Sequence, residues 1–122
     1  METTKLPLQG QRFSDLSEAR RALVRLCQTT NFGEIRGLRV CNSEPVLNPS
    51  PVVVVDIKLD SEREPRPEVD LADFELAHEV RRLLDQLSQI ENGEIERIEV
   101  RSGVPRRLIF QKGFLNRDGL RQ

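Results

Sequence analysis

The feature that most constrains the fold is an internal match between the two halves of the chain at an offset of 60 residues. The tripeptide Gly-Glu-Ile occurs at 33–35 and again at 93–95. Other positions match at the same offset: Leu16 with Leu76, Leu23 with Leu83, Cys27 with Leu87, Leu38 with Ile98, Val40 with Val100, and Pro45 with Pro105. We interpret the match as a duplication, which predicts two units of the same build.

Each unit begins with a predicted helix. In the first, Ser14 is a favourable N-cap, apolar residues follow at helical spacing, and the Asn and Gly of 31–33 tolerate a left-handed C-cap. In the second, the helix is predicted to begin near Asp70 and to end at 92–93, where Asn-Gly follows. Its expected buried residues are Phe74, Leu76, Ala77, Val80, Leu83, Leu84, Leu87 and Ile90.

A pair of strands is predicted after each helix. In the first unit, residues 38–40 alternate in polarity, residues 42–51 contain three prolines and are predicted as loop, and residues 52–59 give the strongest strand pattern. The side chains expected to face the core from that strand are Val53, Val55, Ile57 and Leu59. In the second unit, strands are predicted at 95–100 and 106–111.

Neither unit is complete alone, because a two-stranded hairpin is marginal in water and a helix with one apolar stripe needs a partner. We therefore predict an α+β fold in which two tandem α-β-β units form a four-stranded antiparallel sheet with both helices on one face. The predicted domain spans 14–112, with units 14–59 and 70–112 and a charged, proline-broken linker at 60–69. Terminal arms are predicted at 1–13 and 113–122.

The second hairpin allows two registers. A two-residue loop at 102–103 turns Ile98 and Leu108 to opposite faces, whereas a three-residue loop at 102–104 pairs them on one face. Since a one-residue slip reverses every side chain, we predict the three-residue loop, with Gly103 at positive φ and Glu99 opposite Arg107.

The stretch 83–112, with Gly-Glu-Ile at 93–95 and Ser-Gly at 102–103, resembles a family of short bacterial helix–hairpin proteins of unknown function. That family has a helix, a strand that begins with Gly, a turn containing Gly, and a return strand ending in basic residues. The resemblance implies a helix–hairpin unit and implies no activity.

The sequence lacks the residues that several functional classes require. His78 is the single histidine, and the position where a helical zinc motif requires a second His is Arg82. No phosphate-binding glycine loop or nucleophile elbow occurs, so we predict no enzyme, no cofactor, no metal and no small-molecule substrate. No apolar leader occurs in the first ten residues and no apolar run approaches the ~18 residues of a membrane span. We therefore expect a cytoplasmic protein with no membrane contact, its cysteines Cys27 and Cys41 reduced.

The outer face of the predicted sheet is the first candidate site. Four apolar side chains are expected to point away from the core and to be covered by another subunit or by the chain's own arms: Cys41, Val52, Val54 and Ile109. Because apolar sheet faces are usually covered, we predict a non-catalytic protein-interaction module that forms a homodimer, by exchanged arms or by pairing of sheet edges.

The basic end of the chain supports an alternative. Residues 100–122 carry six basic side chains and one acidic side chain, although the formal net charge of the whole chain is −1. The candidate nucleic-acid contacts are Arg101, Arg106, Arg107, Lys112 and Arg117. Trp and Tyr are absent and Phe110 is expected in the core, which disfavours a base-stacking platform.

Overall fold

A computed structural model describes residues 12–111, which form two α-helices and five strands. Their bounds are Glu18–Thr30 for α1, Phe32–Cys41 for β1, Glu44–Val46 for β2, Val52–Val55 for β3, His78–Ile90 for α2, Gly93–Arg101 for β4 and Val104–Phe110 for β5. The predicted α+β class and antiparallel sheet are confirmed. The sheet has five strands instead of four because the first unit contributes three, one of them within the predicted loop 42–51.

The backbone follows the 60-residue offset of the sequence. Helix α2 begins and ends 60 residues after α1 does. Both helices end in the same cap, in which Asn31 (φ 64°) and Glu91 (φ 65°) each donate an N–H to the carbonyl four residues earlier. The tight turns that follow β1 and β4, at 42–43 and 102–103, both have positive φ at their two central residues.

Strands β1 and β4 form the centre of the sheet and run antiparallel, with Ile35 opposite Ile98. Strand β5 pairs with the far side of β4, while β2 and β3 both pair with the far side of β1. The central ladder is interrupted at Gly37 and Glu96. Because of this interruption, Ile35 and Leu38 are both fully buried although they lie three residues apart.

One hydrophobic core lies between the sheet and the two helices. Leu23 of α1 and Leu83 of α2 belong to the same cluster of buried side chains, together with Ile35 and Ile98 of the central strands. Both helices therefore cover the same face of the sheet, as predicted.

Each tight turn is hydrogen-bonded to the helix end of the other unit. The N–H of Ser43 donates to the carbonyl of Glu91 over 2.8 Å, and the N–H of Gly103 donates to the carbonyl of Asn31 over 3.0 Å. These contacts are related by the same 60-residue offset. They give partners to carbonyls at the ends of helices, which have none within the helix itself.

Both helices begin later than the sequence predicts. The helix expected from Ser14 begins at Glu18, and the hydroxyl of Ser17 accepts a hydrogen bond from the N–H of Arg20. The helix expected from Asp70 begins at His78, because Asp70 belongs to a separate 3₁₀ turn, Pro67–Asp70.

The residues that precede the two helices bind each other instead. The rings of Phe13 and Phe74 stack with their centroids 4.8 Å apart. The carboxylate of Asp73 accepts hydrogen bonds from Nε of Arg12 (2.9 Å) and from the N–H of Ser14 (2.8 Å). The Arg12 bond, supported by the Ser14 N–H, lowers the pKa of Asp73 to about 2. Phe13, which the sequence analysis assigns to the N-terminal arm, is therefore part of the core.

The strand predicted at 52–59 ends at Val55. The next residue, Asp56, donates its N–H to the carbonyl of Phe32, the first residue of β1. Beyond this point β1 provides no partner. The prediction that Val55, Ile57 and Leu59 face the core is wrong, because all three are exposed.

The second hairpin combines features of both registers. Its turn has two residues, so the predicted three-residue loop is wrong and Val100 lies opposite Pro105. A bulge at Arg106 then inserts one residue into β5 and restores the predicted pairing of Ile98 with Leu108. The predicted positive φ of Gly103 and the pairing of Glu99 with Arg107 are confirmed.

Gly33 and Gly93 occupy equivalent positions in the two units and differ in the space around them. A Cβ on Gly33 would lie 1.9 Å from the carbonyl oxygen of Val54, whereas a Cβ on Gly93 would meet nothing closer than 3.5 Å. We expect Gly33→Ala to lower the free energy of unfolding by about 1–3 kcal/mol, the usual range for overpacking. Gly93→Ala is the matched control and should change it by less than about 0.5 kcal/mol. Urea denaturation measures both; equal losses would contradict the close approach of β3 to Gly33.

Candidate interaction sites

The candidate interface on the outer sheet face is divided by charged residues. Val52 and Val54 of β3 lie opposite Arg36 and Glu34 of β1, and Ile109 of β5 lies opposite Arg97 of β4. Two strands with charged outer side chains therefore separate the valines from the isoleucine. Cys41 is exposed at the end of β1, opposite Glu44 of β2.

Those charged side chains form a continuous ionic network. Arg97 lies at its centre, with Nε 3.9 Å from Glu34 and 3.6 Å from Glu99. Glu34 also binds Arg36 over 2.9 Å, and Glu99 lies 3.6 Å from Arg107. The centre of the outer face is consequently polar, and the predicted interface residues do not join into one apolar patch.

A different apolar surface lies at the edge of the sheet. We call residues 52–59 the edge segment, since they comprise β3 and its continuation past the end of β1. Val52 is 61% exposed, Val55 52%, Ile57 71% and Leu59 93%. In the described part of the chain, the remaining large exposed hydrophobic residue is Leu71, at 48%. The exposed apolar residues are thus concentrated in one segment, and three of them, Val55, Ile57 and Leu59, are residues that were predicted to face the core.

Three of the predicted nucleic-acid contacts, Arg101, Arg106 and Arg107, are exposed, and the last two lie close to carboxylates. Arg106 Nη1 lies 3.2 Å from Glu79, and Arg107 Nε lies 3.6 Å from Glu99. Arg101 is exposed next to the turn and, with Arg106 and Arg107, borders a hollow of about 550 Å³. Lys112 and Arg117 lie outside the described residues.

A groove of about 410 Å³ separates helix α2 from strand β5. We call it the α2–β5 groove; it is lined by His78, Glu79, Arg82, Leu83, Gln86, Pro105, Arg106, Arg107 and Leu108. Sequence reasoning did not identify it. In the sequence, the groove is indicated by polar residues of α2 at positions where the equivalent residues of α1 are apolar.

The chemically reactive side chains do not converge. Cys27 is buried in the core, and this burial raises the pKa of its thiol to about 12. His78 is exposed at the start of α2. Among residues 12–111 no three His, Cys, Asp or Glu side chains are grouped so that they could hold a metal ion.

The two cysteines should therefore differ strongly in reactivity. In the folded protein we expect a thiol reagent to modify exposed Cys41 and to leave Cys27 unmodified until the protein is unfolded, because the thiolate is the reactive form. Mass spectrometry after timed labelling measures both sites. The Cys41→Ser variant should show no labelling before unfolding; labelling of Cys27 as fast as Cys41 would contradict the packing of α1.

No helix within residues 12–111 is long and apolar enough to cross a membrane. Comparison with known proteins finds no matching family model, no matching curated protein and no matching solved structure.

Proposed function

We propose that this chain is a non-catalytic protein-interaction module that forms a homodimer by antiparallel pairing of the edge segments of two copies. The observation that carries the proposal is the exposure of Val52, Val55, Ile57 and Leu59 in one continuous stretch. Such a stretch on a soluble domain usually marks a contact with another chain, since its burial is favourable by about 25 cal/mol per Å² of apolar surface.

The position of the edge segment suits strand pairing. Strand β3 pairs with β1 on one side, and no other described strand lies on its second side. An edge strand presents unpaired N–H and C=O groups, which a strand of another chain can bind. Pairing two edge segments would satisfy these groups and would bring the exposed side chains of Val55, Ile57 and Leu59 against those of the second copy.

The sequence of the edge segment is complementary to itself. When two copies run antiparallel about a two-fold axis at Ile57, Asp56 lies opposite Lys58 of the second copy, and Val55 lies opposite Leu59 of the second copy. The two-fold axis repeats each of these pairs, as an isologous interface requires. Opposite charges and apolar pairs across strands both stabilise a sheet, by roughly 0.2–1 kcal/mol each.

Nucleic-acid binding has weaker support. Arg106 and Arg107 are each close to a carboxylate, of Glu79 and Glu99 respectively. Glu79 and Glu99 partly neutralise these two guanidinium groups, which lowers the positive potential that a nucleic-acid backbone would meet. In the ionic network of the outer face, Glu34, Glu96 and Glu99 offset Arg36, Arg97 and Arg107, so that this surface offers a polyanion no excess of cations.

Analytical ultracentrifugation tests the homodimer. At about 100 µM we expect the wild-type chain of 14.0 kDa to sediment with twice that mass. Ile57→Glu should raise the dissociation constant at least about tenfold, since it places two carboxylates opposite each other at the two-fold axis. Leu71→Glu is the matched control, because it alters an exposed apolar residue outside the edge segment, and it should leave the mass unchanged.

A charge exchange tests the register of the same interface. Asp56→Lys alone should weaken the dimer, and adding Lys58→Asp should restore it, because the opposite charges are then paired again. A wild-type monomer at 100 µM, or a dimer that Ile57→Glu does not weaken, would contradict the proposal.

A further inference from the structure

The α2–β5 groove lies where the two units depart from their common pattern. Positions Ala19, Ala22 and Leu26 of α1 are apolar, whereas the positions 60 residues later in α2 carry Glu79, Arg82 and Gln86. In the first unit Leu26 packs against the core. In the second unit the corresponding region is an open groove with charged walls.

The bulge in β5 adds a cation to this groove. Arg106 is the residue that the bulge inserts, and its guanidinium reaches Glu79 of α2 over 3.2 Å. Bulges commonly redirect a side chain in this way. The groove is also bordered by apolar Leu83, Pro105 and Leu108, so that it offers both charged and apolar contacts.

Strand β5 has a free side along the groove. It pairs with β4 on one side, and within residues 12–111 no strand pairs with its other side. An extended peptide can add to such an edge, with main-chain hydrogen bonds providing affinity and side-chain pockets providing specificity.

We propose that the α2–β5 groove binds an extended acidic segment of a partner protein, which adds to β5 as a further strand. The groove is lined by Arg82, Arg106 and Arg107 and by one carboxylate, that of Glu79, so that its charge is complementary to acidic side chains. Arg82 and Arg106 bind the carboxylates of the segment. A guanidinium carries five N–H donors, which allows Arg106 to hold Glu79 and a ligand carboxylate together.

This site is independent of the homodimer, because it uses the opposite edge of the sheet. The edge segment pairs beyond β1, whereas the α2–β5 groove borders β5 beyond β4. The Ile57→Glu variant should therefore bind the acidic segment as the wild type does.

Fluorescence anisotropy with two labelled eight-residue peptides tests the inference. One peptide alternates valine and glutamate, and the other alternates valine and lysine. We expect the glutamate peptide to bind and the lysine peptide to bind at least tenfold more weakly. Arg82→Glu should weaken glutamate-peptide binding at least tenfold, and Arg82→Lys should retain most of it. Arg39→Glu, an exposed arginine of β1 outside the groove, is the matched control and should bind normally.

Hydrogen exchange separates strand addition from simple attraction of charges. Binding of the glutamate peptide should slow exchange at alternate amides of β5, those that face away from β4. Circular dichroism and urea denaturation verify that Arg82→Glu is folded. The inference is overturned if neither peptide binds, if both bind alike, if Arg82→Glu binds like the wild type, if β5 gains no protection, or if a single-stranded oligonucleotide displaces the peptide at lower concentration.

Discussion

Strands β1 and β4 meet at the centre of the sheet, and the side chains that they bury are covered by the helices of both units. Ile35 and Ile98 lie opposite each other in this pairing, and both are fully buried. Without β4, the apolar face of β1 would have only its short neighbours β2 and β3 beside it. The same holds for β4 and β5 without β1. The burial of apolar surface that stabilises each unit therefore depends on the presence of the other.

The hydrogen bonds between each turn and the helix end of the other unit constrain how the two units are oriented, because hydrogen bonds are directional and apolar burial is not. Ser43 binds the cap residue Glu91, and Gly103 binds the cap residue Asn31. The two bonds fix where each helix ends relative to the opposite hairpin. The two proposed sites lie where the units differ from each other. The edge segment belongs to the interrupted outer strands of the first unit, and the α2–β5 groove borders the polar face of α2 in the second. The shared architecture stabilises the fold, and the departures from it distinguish the two edges of the sheet.

The elements that local chemistry and periodicity determine could be predicted from the sequence. The helix ends near Asn31 and Asn92, the buried Ile98 and the position of Gly103 all follow from cap residues and alternation. The errors arise where tertiary contacts compete with local preference. Because Phe13 stacks on Phe74, both helices begin after these residues and later than the sequence predicts. Strand β3 ends at Val55 because its partner β1 begins at Phe32. The alternation of polarity within 52–59 contains no information about where β1 begins. The candidate site was predicted only in part, since Val52 belongs to the exposed edge but the central outer face is charged.

Native-state hydrogen exchange tests most directly whether the two units complete one core. Amides of α1 and β1 and amides of α2 and β4 should exchange with the same highest opening free energy and should respond together to added denaturant, because the core opens as one cooperative unit. Protection that persists in one unit after the other has exchanged would show that a single unit is stable alone. That result would contradict the account.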